Sequence, residues 1–287
     1  PSAGSSGPEP GGAVMQPPAV PEARPAPRPR RFGLVNRLGL RTLYRRELLR
    51  VLKFYPDSIL GPMVLCLLYL AIFRFALGGE GATMGGVPLM EFIAPGLAVY
   101  LICERAFDAT ALSILFDKLE GMIADVLMAP MTAFERTIAY SGAAVSAGLA
   151  TGGAVLVVEW VFIDLEVVVP AAILFFAVAG ALLHALAGII VGLCASRWDH
   201  YAAATTFFVL PFGFLSGTFY SAEMLPPVGQ ALVQLNPVFY VIDGFRYGFT
   251  GRSDGSLAVG VGMLIVIDVV LLLVVHRLIA RGYRLKA

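Results

Sequence analysis

Six long apolar runs, at residues 57–77, 92–116, 137–163, 170–195, 201–220 and 256–278, limit what this chain can fold into more than anything else in it. Crossing a hydrocarbon core of about 30 Å takes about 20 helical residues, and every run is of that order. Inside lipid each backbone N–H and C=O needs a partner within the protein, which only helices and closed barrels provide. Barrel strands are short and alternate apolar with polar residues, whereas these runs are continuous. The expectation is an all-α integral membrane protein with six transmembrane helices. Composition agrees: 58% of the 287 residues are hydrophobic and 14% charged, against roughly 45–50% and 25% in a soluble domain.

Basic residues set the orientation. Of the 21 Lys and Arg, Arg24, Arg28, Arg30, Arg31, Arg37, Arg41, Arg45, Arg46, Arg50 and Lys53 precede the first run, and Arg277, Arg281, Arg284 and Lys286 close the last. Cytoplasmic segments carry the excess of Lys and Arg, so both termini are expected inside. The connections at 78–91 and 164–169 hold only Glu80, Glu91, Asp164 and Glu166 as charges and are expected outside. Residues 1–33, rich in Pro, Ala, Gly and Ser, cannot bury enough apolar surface to order themselves and are expected to be a disordered tail. Residues 34–287 form the membrane domain.

Between the tail and the first span, residues 34–55 read as an amphipathic helix, with Leu38, Leu48, Leu49 and Leu52 interleaved with arginines. Such a helix lies in the cytoplasmic interface, either as an anchor or as a strut that also touches a partner. A second cytoplasmic feature is DKLEGMIADVLMAPMTAFER, residues 117–136. Met122, Ile123, Val126 and Leu127 recur at helical spacing, Asp117, Glu120 and Asp125 decorate the piece, and Ala129-Pro130 stops it. Thr132 and Glu135 have the capping-box spacing, so the third span is expected to begin near Ala133. The short helix either packs on lipid headgroups or offers a docking surface.

Charges inside the second run need an explanation, because each costs several kcal/mol or so against lipid. Glu104 and Asp108 share a face at i, i+4, and Arg105 can pair with Asp108 at i, i+3. The cluster is either an internal ion pair or the wall of a substrate path or proton relay. Arg74 and Asp268 raise the same question. Gly148 with Gly152, and Gly188 with Gly192, have the spacing that allows close helix approach, while Pro95-Gly96 and Pro211 are candidate breaks. A phosphate-binding loop needs a Gly-Lys pair before Ser or Thr, but Lys53, Lys118 and Lys286 follow Leu, Asp and Leu. His184, His200, His276, Cys66, Cys103 and Cys194 fall into no catalytic or metal-ligand spacing. The chain is not expected to be an enzyme or to bind metal.

After the fifth run the chain turns polar again in LSGTFYSAEMLPPVGQALVQLNPVFYVIDGFRYGF, residues 215–249. Its apolar residues come in two bursts, 222–235 and 238–249, each too short to span, with Pro226-Pro227 and Asn236-Pro237 as helix starts. Two re-entrant helices on the outer side fit, provided that protein or a water-filled cavity covers them. Asp243 and Arg246 at i, i+3 can neutralise one another there, and Tyr240 suits the interface.

The cytoplasmic helix ending in LMAP, then LSGTFYS, LPP and NPVFYVIDGFRYG, together with EFIAPGL at 91–97 and the closing RLIARGYRLKA, resemble the permease subunits of ABC type 2 exporters, in the bacterial branch that includes drug-resistance and lipo-oligosaccharide export permeases. The resemblance runs from about residue 34 to the end. It implies a homodimer of six-span subunits in the bacterial inner membrane, driven by two separate ATPase subunits that hold the ATP and magnesium. It implies that Leu119, Glu120, Met122, Ile123, Val126, Leu127 and Pro130 belong to a coupling helix seated on the ATPase, with residues 36–54 as a connecting helix clamping the same partner. It also implies that Pro226, Pro227, Asn236, Pro237, Tyr240, Asp243 and Arg246 belong to a gate capping the exit. Membrane lipid and an amphiphilic substrate are the other expected partners, and nucleic acid is not. Glu104, Arg105 and Asp108 depart from the commoner pattern. They support one rival reading, a proton-coupled secondary transporter that relays through Glu104 and Asp108.

Overall fold

The computed structural model describes residues 35–76 and 83–284, together with Gly4 and Gly7. The expected disordered tail otherwise lies outside the described residues, and every element below belongs to the unit Leu34–Ala287. Helix α1, Arg37–Lys53, starts where the Asn36 side chain accepts from the Gly39 N–H at 2.9 Å. A π-turn at Pro56–Leu60 leads into α2, Gly61–Ala76. A hairpin of two-residue strands, β1 at Thr83–Met84 and β2 at Val87–Pro88, follows. Its turn is Gly85-Gly86, both at positive φ, as a two-residue hairpin turn of this hand requires.

The remaining helices are α3 at Leu89–Leu119, α4 at Ile123–Met128, α5 at Ala133–Phe162, α6 at Pro170–Cys194, α7 at Trp198–Ala204, α8 at Leu210–Phe214, α9 at Pro227–Gln234, α10 at Pro237–Thr250 and α11 at Leu257–Ala280. Helix α3 is the centre, packed against α5, α6 and α10 and buried along most of its 31 residues. Both small-residue pairs face it. A Cβ at Gly148 would lie 2.6 Å from the Ile102 carbonyl oxygen, and one at Gly188 would lie 2.4 Å from that of Phe107, so only glycine lets α5 and α6 come this close. Pro95 does not break α3. Its neighbour Gly96 instead leaves room for the Arg246 guanidinium, 2.9 Å from where a Cβ would stand.

Among the described residues, four helices are long and apolar enough to cross a membrane by length and composition: Pro56–Ala76, Ala133–Phe162, Pro170–Cys194 and Leu257–Ala280. Helix α3 has the length, but Glu91, Glu104, Arg105 and Asp108 interrupt its apolar character. The fifth run, expected as one helix over 201–220, is α7, a π-turn at Thr205–Val209, and α8, ending at Phe214. Pro211 lacks the N–H that a regular helix would use, and Gly217 turns the chain at φ +76°, so helix does not reach residue 220. Large apolar side chains face outward all round, including Phe75, Val161, Phe208 and Val266, the surface expected of a chain solvated by lipid.

Helix α10 runs antiparallel along one half of α6. Gly248 lies against Ile173, Gly244 against Phe176, and Val241 against Gly180. The start of α10 therefore reaches only the middle of α6.

Candidate functional site

Three groups of residues combine polar chemistry with a defined mount. The first surrounds α4. Helix α3 ends at Leu119, and Gly121 at φ +73° turns the chain into the six-residue α4. Ile123 and Val126 are buried in a cluster with Leu43, Ile114, Tyr140 and Ile279. These two expected contact residues are thus the underside of the helix. Leu119, Glu120, Asp125, Met128 and Pro130 are exposed, and Met122 and Leu127 are half-buried at the edge. Thr132 and Glu135 form the expected capping box at the start of α5. Glu135 also accepts from the Asn36 N–H, while the Asn36 amide donates to the Pro130 carbonyl at 3.0 Å. Arg136 donates to the Leu127 and Ala129 carbonyls at 3.0 and 3.2 Å. The end of α4 and the turn that follows it are therefore fastened from two sides, by α5 and by the cap of α1.

Beside this mount, Asp117 is not a decoration of the short helix but a fully buried residue of α3. It accepts from Arg46 at 2.6 and 2.5 Å and from Arg50 at 2.8 Å. Arg50 also donates to the Ser113 hydroxyl at 2.5 Å, and that hydroxyl donates to Glu47. Burial pushes the Glu47 carboxyl above its usual range, although Arg50 and Arg46 oppose this. Burial alone would lower Arg46, but Asp117 and Glu47 hold it above its ordinary value. Lys118 points the other way and caps the end of α6, donating to the Leu193 and Ala195 carbonyls at 2.8 and 2.5 Å. Helices α1, α3, α5 and α6 are thus tied together around α4 by charged hydrogen bonds.

The second group is Glu104, Arg105 and Asp108, midway along α3. The expected internal pair does not form. Arg105 lies 3.6 Å from the Asp57 carboxylate and donates to the Asp57 carbonyl at 3.1 Å, while Asp108 accepts from the Tyr201 hydroxyl at 2.6 Å. Arg105 and Asp108 have each found a neighbour on another element, Arg105 on the π-turn before α2 and Asp108 on α7, while Glu104 makes no hydrogen bond or ion pair with the described residues. Sequence spacing along one helix gave no view of either partner. Two further carboxylates in spans form no ion pair among the described residues. Glu159, which the sequence reading passed over, is fully buried on α5 and accepts from the Cys66 thiol at 3.1 Å. Asp268 is buried on α11. A single Glu in the otherwise uncharged run GGAVLVVEWVF was the available signal.

The third group is α9 with α10. Pro226 and Asn236 stand at the two N-caps, followed by Pro227 and Pro237 in the first turns, where a missing N–H costs nothing. Asn236 accepts from the Val238 N–H at 3.0 Å and donates to the Phe212 carbonyl at 2.8 Å, joining α10 to α8. Tyr240 packs edge-on to Phe239 with ring centroids 5.2 Å apart. Asp243 and Arg246 do not form the expected ion pair. Arg246, almost fully buried, donates to the Phe92 carbonyl at 2.9 Å and to that of Gly217 at 2.8 Å, with its guanidinium 3.5 Å from the Phe92 ring centroid. Asp243 accepts from Ser253 at 2.7 Å and from the N–H groups of Asp254 and Gly255 at 2.8 and 3.0 Å. Backbone groups freed by the surrounding turns compete successfully for both side chains. The outcome is a clasp that holds α10 to the start of α3 and to the loop before α11. Nearby, Glu91, Asp164 and Glu166 line a cavity of about 330 Å³.

A family model described as ABC-2 type transporter matches residues 39–250. The chain is 32% identical over 250 residues to the inner membrane transport permease YadH of Escherichia coli (strain K12), covering 87% of this chain and 98% of that protein. It is 24% identical over 237 residues to Nodulation protein J of Sinorhizobium fredii (strain NBRC 101917 / NGR234), covering 79% and 87%. With Nodulation protein J of Rhizobium leguminosarum bv. viciae the figures are 25% over 242 residues, 83% and 93%.

Proposed function

The chain belongs to the ABC-2 type transporter family, whose members are transmembrane subunits working with a separate ABC ATPase, and from that premise we propose that it exports an amphiphilic or hydrophobic substrate, such as a lipid, glycolipid or drug. In this reading two copies assemble with two ATPase subunits in a bacterial inner membrane, and the ATPases hold the ATP and magnesium. Six segments span: α2, α3, α5, α6, the α7–α8 unit and α11. Both termini and the α4 end are cytoplasmic, because the arginines of α1 and the basic residues after α11 lie at that end. The described residues from Val35 onward form one membrane domain.

The observation that carries the proposal is the mount of α4. A short helix whose underside is buried, whose end is gripped by Arg136 at Leu127 and Ala129 and by Asn36 at Pro130 just beyond it, and whose exposed side carries Asp125 and Met128 beside Leu119 and Glu120 is built to transmit a push. The Arg46–Asp117–Arg50 network would carry that push into α3, at the centre of the bundle. Closure of the ATPases on ATP would then bias the membrane domain between two states. Helices α9 and α10 act as the outer re-entrant gate. Their support is that α10 reaches only half the length of α6 and starts where Asn236 ties it to α8. Glu104, Arg105 and Asp108 contribute to the translocation path, Arg105 and Asp108 through their links to the π-turn before α2 and to α7.

Reconstitution of the chain with its ATPase tests the reading. ATP-dependent movement of a fluorescent lipid or drug toward the outer face is expected. Movement driven by a proton gradient without ATP, and abolished by Glu104→Gln, would replace it with a proton-coupled mechanism.

A further inference from the structure

A second cavity, of about 200 Å³ and open on its outer side, where Phe208 and Phe212 are exposed, lies between α3, α6, the π-turn of the α7–α8 unit and the start of α10. Its walls are apolar and partly aromatic, with Phe107, Phe208, Phe212, Leu183, Val191 and Val238 among them. His184 is the one residue with a polar side chain in this lining, and it is 9% exposed. Its Nδ1 lies 2.8 Å from the Gly180 carbonyl oxygen one turn back. A carbonyl oxygen only accepts, so Nδ1 carries the hydrogen, and in the neutral ring Nε2 is left as an acceptor. Among the described residues no group donates to Nε2, which is not fully enclosed by protein and stays open to the cavity. An acceptor that opens onto apolar walls finds no donor among them, and a ligand that supplies an O–H or N–H gains a hydrogen bond there.

We propose that this cavity binds a long-chain amphiphile through a hydroxyl donated to His184 Nε2, with the apolar body against Phe107, Phe208 and Phe212. The hydroxyl is the group that fits, since an anionic headgroup has no hydrogen to give and an ammonium has no countercharge in the lining. The position connects binding to the gate. Phe208 belongs to the π-turn, a helix irregularity frequent at functional sites. The Phe212 carbonyl is held by Asn236, the cap of α10. A ligand wedged between Phe212 and Val238 therefore strains the joint on which α10 is hung.

The assignment deepens the export reading by naming the ligand chemistry, and its test needs no ATP, so its failure leaves ATP-driven export standing. The probe is a diazirine-bearing dodecanol, compared with its methyl ether, photolysed with the purified full chain in nanodiscs. Dodecanol is expected to label the peptide carrying Phe208 and Phe212, and the ether to label it about three- to tenfold less at equal concentration, the share of affinity carried by one neutral hydrogen bond. His184→Phe, which keeps the ring and removes the acceptor, is expected to bring the alcohol down to the level of the ether. Ala187→Phe, which fills the cavity, is expected to abolish both. Equal labelling by alcohol and ether in the unaltered protein, or undiminished alcohol labelling of His184→Phe, would overturn the proposal. If Ala187→Phe does not fold, unlabelled dodecanol competing against the probe in the unaltered protein replaces it, and failure to compete counts against the site.

Discussion

Replacing Asp117 by Asn removes the charge on which both α1 arginines converge, while keeping the size of the side chain and one oxygen acceptor. The Asp117 carboxylate is fully buried, whereas Arg46 and Arg50 keep 32% and 23% of their side-chain surface. Breaking a fully buried pair costs about 3–5 kcal/mol. Here water still reaches the two guanidinium groups and the Asn oxygen still accepts one hydrogen bond, so a loss of about 2 kcal/mol is expected. At this chain length that corresponds to a fall in Tm of about 4–8 °C, read by thermal unfolding in mild detergent. A double-mutant cycle with Arg50→Met isolates the pair and is expected to give a coupling of about 1 kcal/mol. A Tm unchanged within about 1 °C, or additive effects in the cycle, would refute the idea that α1 is locked to α3 through Asp117.

Glu47 gives a pH-dependent counterpart. Its folded carboxyl titrates above the unfolded value because it is buried, so the stability it contributes is full at pH below the unfolded carboxylate value, near pH 4, and is lost as pH rises through the folded one. Glu47→Gln should therefore be more favourable relative to the unaltered chain at pH 8 than at pH 4, checked by Tm at both; the opposite trend would count against it. Thr132→Ala removes the hydroxyl that caps α5 and should cost about 1 kcal/mol in thermal unfolding. Gly248→Ala would place a Cβ 2.3 Å from Ile173 and 3.2 Å from the Val169 carbonyl oxygen. It should cost about 1–3 kcal/mol and expose the amides of α10 to hydrogen exchange; unchanged protection would show that α10 is not seated by this contact.

Where a local rule decides the outcome, the sequence was readable. The capping box placed the start of α5 at Ala133, and Pro226-Pro227 and Asn236-Pro237 placed the starts of α9 and α10. Gly148, Gly152, Gly188 and Gly192 have the spacing of close helix approach, and all four meet α3. What the sequence hid are choices among distant partners. Asp243 and Arg246 are close enough along one helix to pair, yet each is taken by backbone groups of segments that only the tertiary fold brings near. Asp117 lies 71 and 67 residues along the chain from Arg46 and Arg50, and although the two arginines share a face of α1, nothing in their spacing points to it. The π-turn in the fifth run was equally hidden, because Pro211 signals an interruption but not whether the helix breaks or is rewound around it. Ile123 and Val126 were recognised as one apolar face, and the structure determines that this face looks inward.

The central claim is that the exposed side of α4 engages a separate ATPase. Affinity purification of the chain from its native membrane in mild detergent, with every stoichiometric partner identified and counted, tests it directly. The unaltered chain should bring down one ATPase per copy, and a variant with Asp125→Arg and Met128→Arg should lose it while keeping its Tm, because both side chains are exposed. Equal recovery of the ATPase with that variant, or none with the unaltered chain, would contradict the account.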